Sequence, residues 1–140
     1  MNWKLILQLS LFGLVMGVAT VFFIPSSVEP FCWLVVFLIS AYAIAHAAPG
    51  RPFLHGVCVG LANSVWVTGA HMLLLDRYLA GHAREAAMMN SMPMPTHPRL
   101  MMALMGPVIG LVSGIVLGIF AVVATRFVRP AGVVSATSSA

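Results

Sequence analysis

Four long apolar runs, joined by short polar or proline-bearing links, set out the chain. The first extends from Leu5 to Ile24 and is broken in polarity only by Gln8, Ser10 and Thr20. The second covers Phe31 to Ala48, the third Phe53 to Leu75, and the fourth Arg99 to Val128, with no charge between Leu100 and Thr125. A helix of about 20 apolar residues crosses the roughly 30 Å of hydrocarbon in a bilayer. The pattern therefore predicts an all-α, polytopic membrane protein with four transmembrane helices, over residues 5–24, 31–48, 53–75 and 99–128. They are expected to form one compact bundle, residues 1–130, ahead of a flexible tail, residues 131–140. The first run exceeds the apolar core of about 7–15 residues found in secretory signals, so it reads as an uncleaved span.

The links are punctuated by proline. Pro25 ends the first run, PSSVEP reverses the chain, and PGRP at residues 49–52 stops one helix and starts the next. Residues 76–98 form the one long link. Its first half predicts a short interfacial helix with Tyr78, His82, Glu85, Ala86 and Met89 on one side. Pro93, Pro95 and Pro98 make the second half extended, with Pro98 opening the last helix.

Small residues mark a particular edge on two of the runs. Gly106, Gly110, Gly114 and Gly118 recur every fourth residue in the fourth run, and Gly56, Gly60, Ser64 and Thr68 repeat that spacing in the third. Lipid tails give apolar helices no hydrophobic reason to associate, so close backbone approach over small residues becomes the main lateral force. Spans three and four are thus expected to pair closely and antiparallel. Gly13 and Gly17 offer a shorter edge, left over for oligomerisation or for docking to a larger complex. Pro107 frees the carbonyl of Ala103 and permits a kink in the fourth span.

Intramembrane polarity is concentrated in the third span. At about 100° per residue, Gly60, Asn63, Ser64, Val67, Thr68 and His71 share one broad face, with Trp66 on the other side. Polar groups within a span face protein or a water-filled path, which makes Asn63, Ser64, Thr68 and His71 candidates for solute or ion passage. No carboxylate falls inside an apolar run, because Glu29 and Asp76 lie at the ends. A proton pump built on a buried Asp or Glu is disfavoured.

Composition agrees with a membrane protein: charged residues are 7% of the chain, against about 25% in soluble domains. Seven Lys and Arg face three acidic residues, and this excess is scattered near helix ends, which suits anionic lipid headgroups and excludes a nucleic-acid surface. Lys4, Arg51, Arg126 and Arg129 fall on one side of the four spans, against Arg77, Arg84 and Arg99 on the other. The positive-inside rule then places the termini in the cytoplasm, in a bacterial inner (cell) membrane. Cys32 and Cys58 sit toward opposite faces, too far apart for a disulfide, and are expected to be free thiols.

Two features carry candidate chemistry. Seven of the ten methionines fall between Met88 and Met105. Thioethers select Cu(I), so Met88, Met89, Met92 and Met94, completed by His82 and His97, form a candidate copper site, whereas Met101, Met102 and Met105 read as helix packing. His82 and Glu85, three residues apart, form a second candidate pair for a harder metal or a proton relay. No phosphate loop, C-x-x-C, H-E-x-x-H or G-x-S-x-G occurs. The sequence therefore predicts a non-enzymatic accessory or scaffolding protein of the lipid bilayer, acting as a homo-oligomer or in a larger membrane complex. Solute passage along span three and Cu(I) handling are the alternatives, and no other cofactor is expected.

Overall fold

The computed structural model describes residues 1–91 and 96–129. Among them are six helices and no strands: α1 (Trp3–Phe22), α2 (Glu29–Ala47), α3 (Pro52–Leu73), α4 (Leu75–Gly81), α5 (Ala83–Asn90) and α6 (Pro98–Ala124). Four of these, α1, α2, α3 and α6, are long and apolar enough to cross a membrane, with 20, 19, 22 and 27 residues. Met92 and Met94, the prolines between them and after them, and the tail from residue 130 lie outside the described residues.

Local chemistry sets the helix ends. The Asn2 side chain accepts from the Leu5 amide at 3.2 Å and caps α1. Proline lies in the first turn of α2, α3 and α6, where its missing N–H costs nothing. Glu29, assigned to a link by the sequence pattern, is instead the first residue of α2, where a carboxylate suits the positive end of the helix dipole. The helix expected after the third span is two helices, broken at His82. Pro107 lies inside α6 without ending it.

Packing centres on α3, which makes its most extensive contact with α6 and its next with α1, while α2 lies chiefly against α6. The α3–α6 seam brings backbones together. A Cβ placed on Gly56 would run into the backbone of Gly118, and one on Gly60 into that of Gly114. Farther along, Gly110 lies against Ser64 and Gly106 against Thr68. The α1–α3 seam is also close: a Cβ on Gly13 would stand 2.7 Å from Asn63 Cα, and one on Gly17 3.0 Å from Val67 Cα. Gly13 and Gly17 are therefore filled from within the chain, and are not the free edge that oligomerisation would use.

Hydrogen bonds follow the α1–α3 seam. Asn63 Oδ1 accepts from the Gly13 amide at 3.0 Å, and Trp66 Nε1 donates to Ser10 Oγ at 3.2 Å. Trp66, placed by helical periodicity opposite the polar face, is turned to α1. At the end holding both termini, the Asn2 amide donates to His55 Nε2 at 2.9 Å.

The apolar core lies at that same end. Ile6 and Leu9 from the start of α1 meet Ile44 near the end of α2, Val59 near the start of α3, and Leu117 and Ala121 near the end of α6. Cys32 and Cys58 are both free.

Gly60→Ala should lower the melting temperature of the protein in detergent micelles, since the added methyl meets backbone and overpacking costs about 1–3 kcal/mol. Gly69, with nothing within 4 Å of an added Cβ, is the control. Gly69→Ala should leave the melting temperature unchanged or raise it, because alanine is the better helix former. Equal effects of the two substitutions would contradict the seam described.

Candidate functional site

At the end opposite the core, the helices do not close on one another. A cavity of about 540 Å³ lies between α2, α3 and α6, with residues of α4 and α5 at its outer end. Along α3 it extends from Gly60 and Asn63 to His71, about 12 Å from Asn63 to His71 at 1.5 Å per residue. The inner end stops at the packed core, where Val59, Ile44 and Leu117 are fully buried.

Third-span polar residues reach it from two seams. Asn63, 4% exposed, uses Oδ1 to hold α1, and its Nδ2 is buried with no partner. An unpartnered buried donor is costly, by about 1–3 kcal/mol, so this amide is a notable feature of the wall. Ser64 donates to Leu61 O at 2.8 Å, and its hydroxyl is satisfied within its own helix. Thr68 stands against Gly106 at the α6 seam. His71 Nε2 lies 2.8 Å from Thr20 Oγ1, which is itself 2.9 Å from Met16 O. The single hydroxyl proton of Thr20 goes to that carbonyl, so Thr20 accepts from the imidazole. All four candidates from the third span line one cavity.

A column of rings closes the outer end of the α1–α3 side. The His71 and Tyr78 rings stack with centroids 4.1 Å apart, and Tyr78 stacks on His82 at 4.4 Å. His82 is buried; its Nδ1 lies 2.9 Å from Tyr78 O and its Nε2 3.3 Å from Ile24 O. Both ring nitrogens face backbone carbonyl oxygens, and His82 is not among the residues lining the cavity. His82 thus ties α4 to the end of α1 and makes no pair with Glu85.

Two carboxylates converge beside Tyr78. Glu29 Oε1 accepts from Trp33 Nε1 at 3.1 Å, while Glu85 Oε2 is buried without a partner. Both line the cavity, together with Tyr78. Burial first, and then the charges of Glu29 and Glu85, push the Tyr78 phenol up to about 12. No Lys or Arg is among the described residues lining it. Arg99 instead donates to Met72 O at 3.2 Å, and Arg77 lies over the Phe22 ring.

Methionines form much of the remaining wall. Met88 and Met89 come from α5, and Met101, Met102 and Met105 from the first turns of α6. The last three, read from sequence as helix packing, belong to the cavity. His97 is elsewhere: its Nδ1 pairs with Thr96 Oγ1 at 2.9 Å in an exposed position. Of the residues proposed as copper ligands, Met88 and Met89 are brought together here, His82 and His97 are not, and Met92 and Met94 lie outside the described residues. Among the described residues no group of three or more His, Cys, Asp or Glu is placed to hold a metal ion.

Sequence reasoning missed the contribution of α2, whose Glu29, Trp33 and Phe37 form one wall. The available signal was Glu29 itself, one of three acidic residues in the chain, four residues before a tryptophan. That spacing places the two on one helix face.

Spectrophotometric titration should resolve a phenolate step near pH 12 that Tyr78→Phe removes. A phenol whose folded value exceeds its ordinary 10.0 stabilises the fold below pH 10, and this contribution is lost as pH rises from 10 to about 12. The Tyr78→Phe protein should therefore lose less stability than the parent across that window; an identical decline in both would contradict it. Compared with known protein families, with characterised proteins and with solved structures, the chain matches none, so a functional reading must come from the chemistry of this cavity.

Proposed function

We propose that this is a non-enzymatic integral membrane protein that holds a small, largely apolar solute in the cavity between α2, α3 and α6. The observation that carries this reading is the 540 Å³ space itself, walled largely by apolar side chains with Asn63, Ser64, Thr68 and His71 placed along α3. Cavities of about 300–1,000 Å³, mostly apolar with a few placed polar groups, are the usual form of a small-molecule site. Methionine side chains suit the purpose, since unbranched thioethers adapt to ligands of differing shape.

The glycine faces of α3 and α6 give this site its fixed wall. Backbones in contact cannot approach further, and the side chains that do project, Ser64 and Thr68, are held against Gly110 and Gly106. Binding is favoured over passage because the packed core around Val59 and Leu117 blocks the inner end. A scaffolding role loses its main support with Gly13 and Gly17 occupied by α3.

Nile red, an uncharged dye that brightens in apolar sites, provides the test. The protein in micelles should raise dye emission above protein-free micelles in a saturable way. Met102→Trp and Met105→Trp, which place an indole in the cavity, should abolish that rise while preserving the melting temperature. Emission equal in the parent and in both filled variants would overturn the reading.

A further inference from the structure

The two carboxylates at the outer end of the cavity are not explained by an apolar solute. A guest with neither donor nor positive charge would leave Glu85 Oε2 unpartnered, and would place an apolar surface beside two carboxylates. No described cationic side chain lines the cavity to compensate them. Arg99 and Arg77, on neighbouring segments, are directed to Met72 O and the Phe22 ring.

We propose that the guest is a monovalent organic cation with an apolar body, its charge set between Glu29 and Glu85 and its body running inward along the methionines toward Asn63. This rests on the reading of the cavity as a solute site and adds the chemical class of the solute. Four features of the wall agree with it. Glu85 supplies an unpartnered anionic oxygen, and Glu29 a second carboxylate with one oxygen held by Trp33. The Trp33 ring, in the wall beside Glu29, offers a π system, which attracts cations. Five thioethers supply polarizable contact for the body. At the inner end, Asn63 is a polar residue of the wall whose Nδ2 has no partner within the protein.

Tyr78 lies in the field of both carboxylates. Its proton is retained well above the ordinary range, by burial first and then because Glu29 and Glu85 oppose a further negative charge beside them. The same field attracts a positive one, and it acts where the surroundings are too apolar to screen it fully.

Tetraphenylphosphonium and tetraphenylborate have nearly the same shape and opposite charge, and equilibrium dialysis of each against the full-length protein in micelles separates charge from size. The cation should be retained in saturable fashion, at least about tenfold more tightly than the anion, as one partly desolvated charge pair requires. Glu85→Gln should weaken cation binding about tenfold, and Glu29→Gln should weaken it in the same direction. Unchanged melting temperatures in both variants tie the loss to the site. Equal retention of the two ions, or cation binding untouched by both substitutions, would overturn the cation assignment and leave the solute reading standing on the dye. Absence of saturable cation binding would overturn it as well. Loss of the dye signal in the parent protein would remove the solute reading itself.

Discussion

The arrangement depends on α3 and α6 meeting where neither has a side chain to hold them apart. Gly56 faces Gly118 and Gly60 faces Gly114, so the helices there are separated by backbone alone. In lipid this contact is made of dispersion and weak backbone interactions with no hydrophobic drive, and it is lost steeply with distance. Toward the other end of the seam, the α3 member of each pair grows from glycine to Ser64 and then Thr68, against Gly110 and Gly106. The cavity opens at the end where those side chains begin. A seam of graded residue size is thus tightest beside the apolar core and leaves most room beside the loops.

Asn63 couples the two seams of α3. Its carbonyl oxygen is committed to the Gly13 amide on α1, which fixes the side-chain orientation and leaves the amide nitrogen buried without a partner. Farther out, Thr20 and His71 make the corresponding link, and the stacked Tyr78 and His82 carry it to the carbonyl of Ile24. The outer end of the cavity is accordingly built from polar contacts between segments distant in sequence. Such networks specify orientation more than they add stability, since interhelical hydrogen bonds in membranes average about 0.6 kcal/mol.

Helix number and approximate extent were legible in the sequence because a membrane imposes a length on any apolar run, and prolines mark where each begins or ends. The facing of each helix was harder to read. Where lipid and protein interior are equally apolar, a run such as α2 carries little contrast between its sides, and nothing local joins Glu29 and Trp33 to a cavity formed with α3 and α6. Trp66 illustrates the same difficulty: helical periodicity set it opposite the polar face, yet an indole N–H within a span seeks a partner and finds Ser10 on α1. The methionines were visible as a cluster but not as a wall. Their shared destination arises from α5 and the first turns of α6 folding onto α3, a tertiary event without a sequence period. His82 departed from its expected helix because the break between α4 and α5 turns its ring toward two backbone carbonyls.

The molecule divides stability and chemistry between its two ends. Near the termini, Ile44, Val59, Leu117 and Ala121 are wholly buried across three helices, and the closest backbone contacts lie beside them. Near the loops, packing is incomplete, and an amide nitrogen and a carboxylate oxygen are left without partners. Unsatisfied polar groups persist in a fold only when the surrounding structure holds them in place. Here the closed end keeps α3 and α6 in register, so the open end need not collapse to satisfy its own polar atoms. A guest that satisfied both Asn63 and Glu85 would bridge the length of the cavity, and its binding would be strengthened by the fact that neither group must first give up a partner within the protein.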